Sequence, residues 1–447
     1  MTSLSVPLKQ PPRQTAARRL GVLEHSAPVT PRRRPGVRPP IPALVHPPGS
    51  PPSFWRQPPV YSPLPLRAIL GAVRETYIDR TDSIPAARAL LRQVYHADVA
   101  YLLGSGTQAL QLALCMAARM LGKPLRVALP AYGCYAIAAA AVGAGADIAL
   151  YDVDPRTLGP DLDSLAATLA AGARIVVVAP LCGVPLRWTE LSACASSFGA
   201  VLVEDAAQGH GAWLDGLPLG AIGSLSTLSF GRGKGWTGVQ GGALLLRGSE
   251  LPVAPTIRRA SQTMGALAVG LRGVAQSAFG RARWYGLPAA IPWLGLGETR
   301  YRDPVAPQRM HAVAAGVMTR TFPLASREAR QRRDVAADLL DRLPTDSRIR
   351  PIIPAAGVAG YLRLPLLLSR GMAGFGDPGR AERLGFAAGY PAILASLEPV
   401  RQRLFGPANR WPGAVDLTRR LVTLPTHSLL TLQDRDALLE ALDRYRG

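Results

Sequence analysis

From Val99 to Val203 the chain alternates short, continuously apolar runs with longer segments whose apolar residues recur every three or four positions. The short runs Val99–Leu103, Leu125–Leu129, Asp147–Tyr151, Ile175–Ala179 and Ala200–Val203 predict strands. The segments between them, Gln108–Met120, Ala136–Val142, Asp161–Ala170 and Thr189–Phe198, predict helices. Strands this apolar are covered on both faces, so the alternation implies a doubly wound, mostly parallel α/β sheet. Two further helices, Leu66–Ile78 and Ile84–Tyr95, precede it, and an apolar strand, Leu225–Phe230, follows.

Past residue 300 the pattern changes to a smaller α+β domain. It has a helix over Ser326–Leu343, a strand over Tyr361–Leu367, a helix over Arg380–Ala388, a strand near Arg420–Pro425 and a final helix. Thr431-Leu432-Gln433-Asp434 announces that last helix as a near capping box. The domain organisation expected is a tail over 1–60, a large domain over 61–250, an apolar insertion over 251–300 and a small C-terminal domain over 301–447. Within the insertion, Arg272, Arg281, Arg283 and Pro288 interrupt the apolar stretch Met264–Leu296, leaving less than the roughly 20 apolar residues a membrane span needs. Peripheral membrane contact through 264–296 is one reading, with its arginines on anionic head groups. An insertion packed on the domain or on a second subunit is the favoured one.

Composition alters this picture mainly at the N-terminus. The 447 residues carry a net charge of +21, but residues 1–60 hold nine Lys or Arg, one acid (Glu24) and fifteen prolines. Much of the excess charge thus sits in a segment expected to be disordered or polyproline-like, which weakens any inference to nucleic acid. The segment lacks the apolar core of a secretory signal. The four cysteines, Cys115, Cys134, Cys182 and Cys194, show no metal-binding spacing, so free thiols in a reducing cytoplasm and no metal site are expected.

The candidate chemistry lies between Val201 and Leu244. Lys234 follows the strand Leu225–Phe230 and is flanked by Gly231, Gly233 and Gly235, which let the backbone bend and approach a ligand. Asp205 falls just past the run Ala200–Val203, at the strand end where open α/β sheets bind ligands. An amine and a carboxylate so placed match the needs of pyridoxal 5′-phosphate: a nucleophile for its aldehyde and a partner for its ring nitrogen. The turn Gly104-Ser105-Gly106-Thr107 opens a helix and aims backbone amides at an anion. Gly104-x-Gly106-x-x-Ala109 also fits a dinucleotide-binding turn, but no acid lies between Gly104 and Asp147 to meet a ribose. A phosphate-binding loop of the Walker type fails, because Leu228 and Gly235 stand where glycine and a hydroxyl residue are required.

Three segments together resemble the DegT/StrS type of sugar aminotransferase. They are Ser105-Gly106-Thr107-Gln108-Ala109-Leu110, then Glu204-Asp205-Ala206-Ala207-Gln208 with His210-Gly211-Ala212, then Ser229-Phe230 followed after three residues by Lys234. The resemblance implies the aspartate aminotransferase superfold, pyridoxal phosphate as cofactor, and transfer of an amino group from L-glutamate to a nucleotide-linked keto sugar. It assigns Lys234 and Asp205 as catalytic, and Gly106, Thr107 and Ser229 to the cofactor phosphate. Gln208 falls near the ring. Pro130-Ala131-Tyr132-Gly133-Cys134-Tyr135 matches the family segment whose aromatic residue stacks on the ring. Here that position is Cys134, so Tyr135, Tyr132 or Cys134 itself takes the place. A homodimer with a shared active site is implied by Pro307–Ala315, although proline replaces the asparagine that reaches the neighbouring subunit in relatives. Gln308, Arg302 or Arg309 is the expected substitute. Two other classes stay open: an NADP-dependent oxidoreductase using the Gly104 turn, and a non-catalytic or membrane-associated descendant of the fold.

Overall fold

A computed structural model describes residues 55–248, 257–258, 262–289, 299–407 and 410–446. Residues 1–54 of the expected tail, 249–250 at the end of the expected large domain, and 251–256, 259–261 and 290–298 of the expected insertion lie outside the described residues. The strands Val99–Leu103 (β1), Arg126–Pro130 (β2), Asp147–Tyr151 (β3), Ile175–Val178 (β4), Val201–Asp205 (β5), Leu225–Ser229 (β6) and Gly242–Leu246 (β7) form one sheet. Its order is β1-β7-β6-β5-β4-β2-β3. Strands β2 to β6 pair in parallel, and β7 runs antiparallel between β1 and β6. The doubly wound reading therefore holds, with one reversed strand that the glycine-rich stretch before it concealed.

Alternation along β1 and β7 decides which core each side chain enters. Leu103, Leu244 and Leu246 pack on one face with Ala113 of α3 (Gly106–Leu121), while Leu102, Ala243 and Leu245 pack on the other. That second face is covered by α1 (Leu66–Tyr77), α2 (Ser83–Tyr95) and a long helix, Ala312–Asp341. The long helix begins fourteen residues before the expected Ser326, capped by His311 Nδ1, which accepts from Val313 N at 3.1 Å. Pro323 inside it signals a break, since proline lacks the N–H that the preceding turn requires. Burial of Val313, Ala314, Val317 and Met318 against α1 and α2 outweighs that loss.

A second sheet follows, built from Ile349–Pro351 (β8), Leu364–Leu368 (β9), Ala387–Ala388 (β10) and Leu421–Leu424 (β11), all antiparallel in the order β8-β9-β11-β10. The helix expected over Arg380–Ala388 instead spans Pro378–Leu384 and stops at Gly385, φ +102°, a left-handed end suited to glycine. The final helix, Leu432–Asp443, carries the full capping box of Thr431 and Asp434.

Composition misplaces one boundary. Residues 55–60, assigned to the tail, are packed: Gln57 is buried and its N–H donates to Arg383 O at 2.9 Å, while His427 Nε2 bonds Pro58 O at 2.8 Å. The proline carbonyls serve as acceptors for buried donors, a use that proline content alone does not disclose. Within the insertion, the helix Gln262–Phe279 buries Val269 and seats Gly273 close to Ile69 and Val239, while Leu267, Leu271 and Val274 remain exposed. No helix among the described residues is long and apolar enough to cross a membrane.

Candidate active site

The strand register brings the predicted residues to the carboxyl ends of β1, β2, β5 and β6. Gly104 to Thr107 leave β1 and enter α3, where the Ser105 hydroxyl accepts from Gln108 N at 3.2 Å and caps the helix. A Cβ on Gly106 would lie 2.7 Å from Ser229 Cβ and 2.9 Å from its Oγ. The α3 N-terminus and the end of β6 therefore touch, through a contact only glycine allows. Gln108 braces the turn from behind: its Oε1 accepts from Gln308 N at 3.2 Å, and Gly104 N donates to Gln308 O at 2.8 Å.

Asp205 stands opposite Thr227 in the β5–β6 register. Its Oδ1 accepts from the Thr227 hydroxyl and from Ala207 N, each at 3.2 Å. Burial pushes the carboxyl above the usual aspartate range, and the Lys234 ammonium is the strongest of the groups pulling it back. Asp205 and Lys234 are thus close enough to feel each other's charge.

The loop bearing Lys234 turns through Gly233 and Gly235, both at φ +76°. A Cβ on Gly235 would come 2.8 Å from Nη1 of Arg332, a guanidinium fully buried on the long helix. Arg332 Nη2 donates to His210 O at 2.8 Å, and Arg333 Nη1 donates to Gly211 O at 2.7 Å. This pair ties the segment after Asp205 to the segment after Lys234. Burial lowers Arg332 to about 10, with Glu328 opposing the shift. The His210 ring packs 5.5 Å from Trp236, and burial pushes it down to about 3, so it is neutral and structural.

Gln208 spans two elements. Its Oε1 accepts from Cys182 N at 2.9 Å and its Nε2 donates to Tyr390 Oη at 3.0 Å. The Tyr390 ring sits 5.5 Å from Tyr132 and 6.3 Å from Tyr135. Tyr132 is fully buried, its hydroxyl accepting from Tyr390 N at 2.7 Å, and the Tyr135 hydroxyl donates to Ala392 O at 3.4 Å. Both tyrosines offered by the sequence as stacking rings are thus engaged by residues 390–392. Cys134, half-buried, lies between them at the N-cap of the helix Tyr135–Ala144.

Three groupings emerge: Gly106 and Thr107 at the α3 N-terminus beside Ser229; Asp205 with Lys234; and Gln208 with the ring cluster beside Cys134 and Tyr135. Sequence reasoning missed Thr227, Tyr390 and Arg332. Thr227 was accessible only through the β5–β6 register, and Tyr390 sits in an unremarkable Gly-Tyr-Pro turn far along the chain.

Similarity to known proteins extends over most of the chain. Residues 85–443 match the DegT/DnrJ/EryC1/StrS aminotransferase family. An L-glutamine:2-deoxy-scyllo-inosose aminotransferase of Streptomyces kanamyceticus is 36% identical over 141 residues, 32% of this chain and 33% of that protein. A dTDP-4-dehydro-2,3,6-trideoxy-D-glucose 4-aminotransferase of Saccharopolyspora spinosa is 34% identical over 128 residues, 29% of this chain and 33% of its own length. The chain spans about a third of the length of the curated relatives it matches. A crystal structure of a DegT DnrJ EryC1 StrS aminotransferase from Brucella abortus superposes with a TM-score of 0.66 at 20% identity, covering 85% of this chain and 96% of that one. On the family match over most of its length, the chain belongs to the DegT/DnrJ/EryC1/StrS aminotransferases, a family of pyridoxal-phosphate enzymes.

Proposed function

We propose that this chain transfers an amino group from an amino acid to a keto sugar, with pyridoxal phosphate held at the carboxyl ends of β1, β5 and β6. The observation carrying the reading is the proximity of Lys234 to Asp205, close enough that its charge pulls down the pKa of the carboxyl that β5 places opposite Thr227 of β6. The remaining groups fit the cofactor. The α3 N-terminus with Gly106, Thr107 and Ser229 would hold its phosphate, and Asp205 a proton on its ring nitrogen. Cys134, Tyr135 and Gln208 would line the ring.

When bound, the cofactor supplies an aldehyde and an electron-accepting ring. Lys234 Nζ anchors it, then takes the proton from the donor's α-carbon and returns one on the acceptor half of the cycle. Thr227 and Ala207 N orient Asp205 throughout. The named relatives support a ketone on a sugar or sugar-like ring as acceptor and L-glutamine as donor; L-glutamate is the donor that the family resemblance implies. A nucleotide-linked keto sugar is the acceptor proposed.

A cytoplasmic homodimer with a shared site completes the reading, supported by the four free thiols and by the 307–310 segment braced against Gly104. The exposed Leu267, Leu271 and Val274, beside Arg272 and Arg281, support peripheral contact with an anionic membrane. The test of the chemistry is the visible absorption of the purified protein. A band that bleaches on adding L-glutamate or L-glutamine is expected in the wild type and not in Lys234→Ala. A colourless protein that gains no band with added pyridoxal phosphate would refute the reading.

A further inference from the structure

Hydrogen bonding around Gln208 leaves two donors without an acceptor. A backbone N–H only donates, so the bond from Cys182 N at 2.9 Å fixes the carbonyl oxygen of the Gln208 amide on that side. The amide nitrogen then faces Tyr390, whose hydroxyl accepts its N–H at 3.0 Å. With its oxygen so engaged, that hydroxyl has its own proton to place elsewhere. Among the described residues no group accepts that proton, and none accepts the second N–H of Gln208. Burial pushes the Tyr390 phenol well above its usual range, so it keeps the proton, and with it the capacity to donate, throughout the physiological range.

What these donors meet follows from the covalent plan of the cofactor, so the inference rests on the amino-transfer reading. A pyridoxal ring carries its phosphate arm on one side of the axis from ring nitrogen to aldehyde carbon, and its phenolic oxygen on the other. The groups proposed for the phosphate, Gly106, Thr107 and Ser229, lie at the ends of β1 and β6, and Asp205 lies at the end of β5. The sheet order β1-β7-β6-β5-β4 therefore turns the phenolic oxygen away from β6, toward β4. Cys182 follows β4, and its N–H is the group that holds Gln208.

Tyr390 reaches Gln208 from the small domain, just past β10. Its own N–H donates to the hydroxyl of the fully buried Tyr132 at 2.7 Å, and Gly389, lacking a Cβ, leaves room for that hydroxyl. The main chain of residues 389–390 is thus pinned to the end of β2, and the side chain is not left to swing. A phenol O–H and an amide N–H fixed side by side suit an oxygen that carries negative charge, because bonds to charged acceptors are the strong ones.

We infer that Tyr390 is a cofactor-binding residue whose hydroxyl, beside the Gln208 amide, donates to the phenolic oxygen of pyridoxal phosphate. A residue of the small domain thereby completes a site whose other proposed members all stand on the large domain.

The test is a pH titration of the visible absorption of the full-length protein loaded with pyridoxal phosphate, wild type against Tyr390→Phe. As pH rises, the linkage between Lys234 and the cofactor loses its proton, and the phenolic oxygen is left with an unshared charge and the greatest need of donors. Removing one donor disfavours that form, so the midpoint of the spectral change is expected to rise by about one pH unit in Tyr390→Phe. A second measurement separates this from a packing defect: equilibrium affinity for pyridoxal phosphate and for its 3-deoxy analogue, which lacks the phenolic oxygen. Tyr390→Phe is expected to weaken the first about tenfold and to leave the second unchanged. A wild type with no visible band at any pH refutes the amino-transfer reading and this inference together. A wild-type band whose midpoint is unmoved or lowered by the substitution overturns the inference alone, and so does an equal loss of affinity for both compounds. An unmoved midpoint with a raised KM for the amino donor assigns the hydroxyl to the donor's carboxylate instead, and likewise overturns it.

Discussion

A Cβ on Gly242 would lie 2.5 Å from the amide nitrogen of Gly106, and equally close to the carbonyl of Ser105. The first residue of β7 therefore serves as the floor beneath the turn that opens α3, and backbone on both sides prevents relaxation. Gly242→Ala is expected to push the α3 N-terminus off Ser229. The overpacking should cost about 1–3 kcal/mol and strip the protein of pyridoxal phosphate. Thermal melts paired with cofactor absorbance check this. A variant that melts like the wild type and keeps its visible band would show that the turn has more slack than its geometry allows.

Among the described residues Asp205 receives two hydrogen bonds, one of them from a side chain. Thr227→Val keeps the shape of β6 and deletes that donor. The expected result is a fall in kcat of about tenfold, the weight of one hydrogen bond to a charged group, with KM little altered because Thr227 does not reach the substrate in the proposed site. Asp205→Asn removes the charge itself and should cost about a hundredfold or more. Equal kinetics for wild type and Thr227→Val would mean that Asp205 is oriented by Ala207 N alone.

These two sites mark how far the sequence could be read. Lys234 and Asp205 could be placed on the ligand side of the sheet because each lies within a few residues of an apolar run that ends there, whereas Gly106 and Ser229 came from the family resemblance. The bounds of β1 and β3 were exact for the same reason. Contacts across the sheet were not legible. Thr227 faces Asp205 only once β5 and β6 are in register, and Gly242 underlies Gly106 only because β7 returns antiparallel between β1 and β6. The helix expected from Ser326 starts at Ala312 instead: Pro323 is a local penalty, and packing against α1 and α2, distant in sequence, overrides it.

Next to Asp205 in sequence but on the opposite face of the sheet, Glu204 is fully buried. It accepts from Gly220 N at 2.6 Å, Ile222 N at 3.1 Å, Gly223 N at 3.0 Å and the Ser226 hydroxyl at 2.8 Å. Arg247 donates to the carbonyls of Gly220 and Gly223 alongside it, and burial pushes its half-buried guanidinium below the usual arginine range while the charges of Glu204 and Asp98 oppose the shift. Glu204→Ala would orphan four donors and remove the stronger of the two carboxylate charges, Glu204 and Asp98, that favour Arg247, so a loss of about 3–5 kcal/mol is expected. Urea denaturation measures it. Glu204→Gln, which retains one acceptor oxygen, should fall between. A loss below about 1 kcal/mol for the alanine variant would mean that water replaces the carboxylate, contrary to its burial.

Two histidines set the acid limit of the fold. Burial, reinforced by the charge of Arg332, pushes His210 down to about 3, and burial likewise pushes His427 down to about 4. Both remain neutral in the folded chain across the physiological range, while in the unfolded chain they take up protons near 6.5. Below that pH the unfolded state binds more protons, so stability present above about 6.5 is lost as pH falls. Each histidine contributes up to about 1.4 kcal/mol per pH unit, His427 until about pH 4 and His210 until about pH 3. The carboxylates with lowered values, Glu75 and Asp346, begin to add to the loss only nearer pH 4. Denaturation midpoints between pH 7.5 and 5 should therefore drop steeply in the wild type and less steeply in His427→Gln, which cannot gain a proton where it is buried. A flat profile, or one unchanged by the substitution, would place the proton uptake elsewhere.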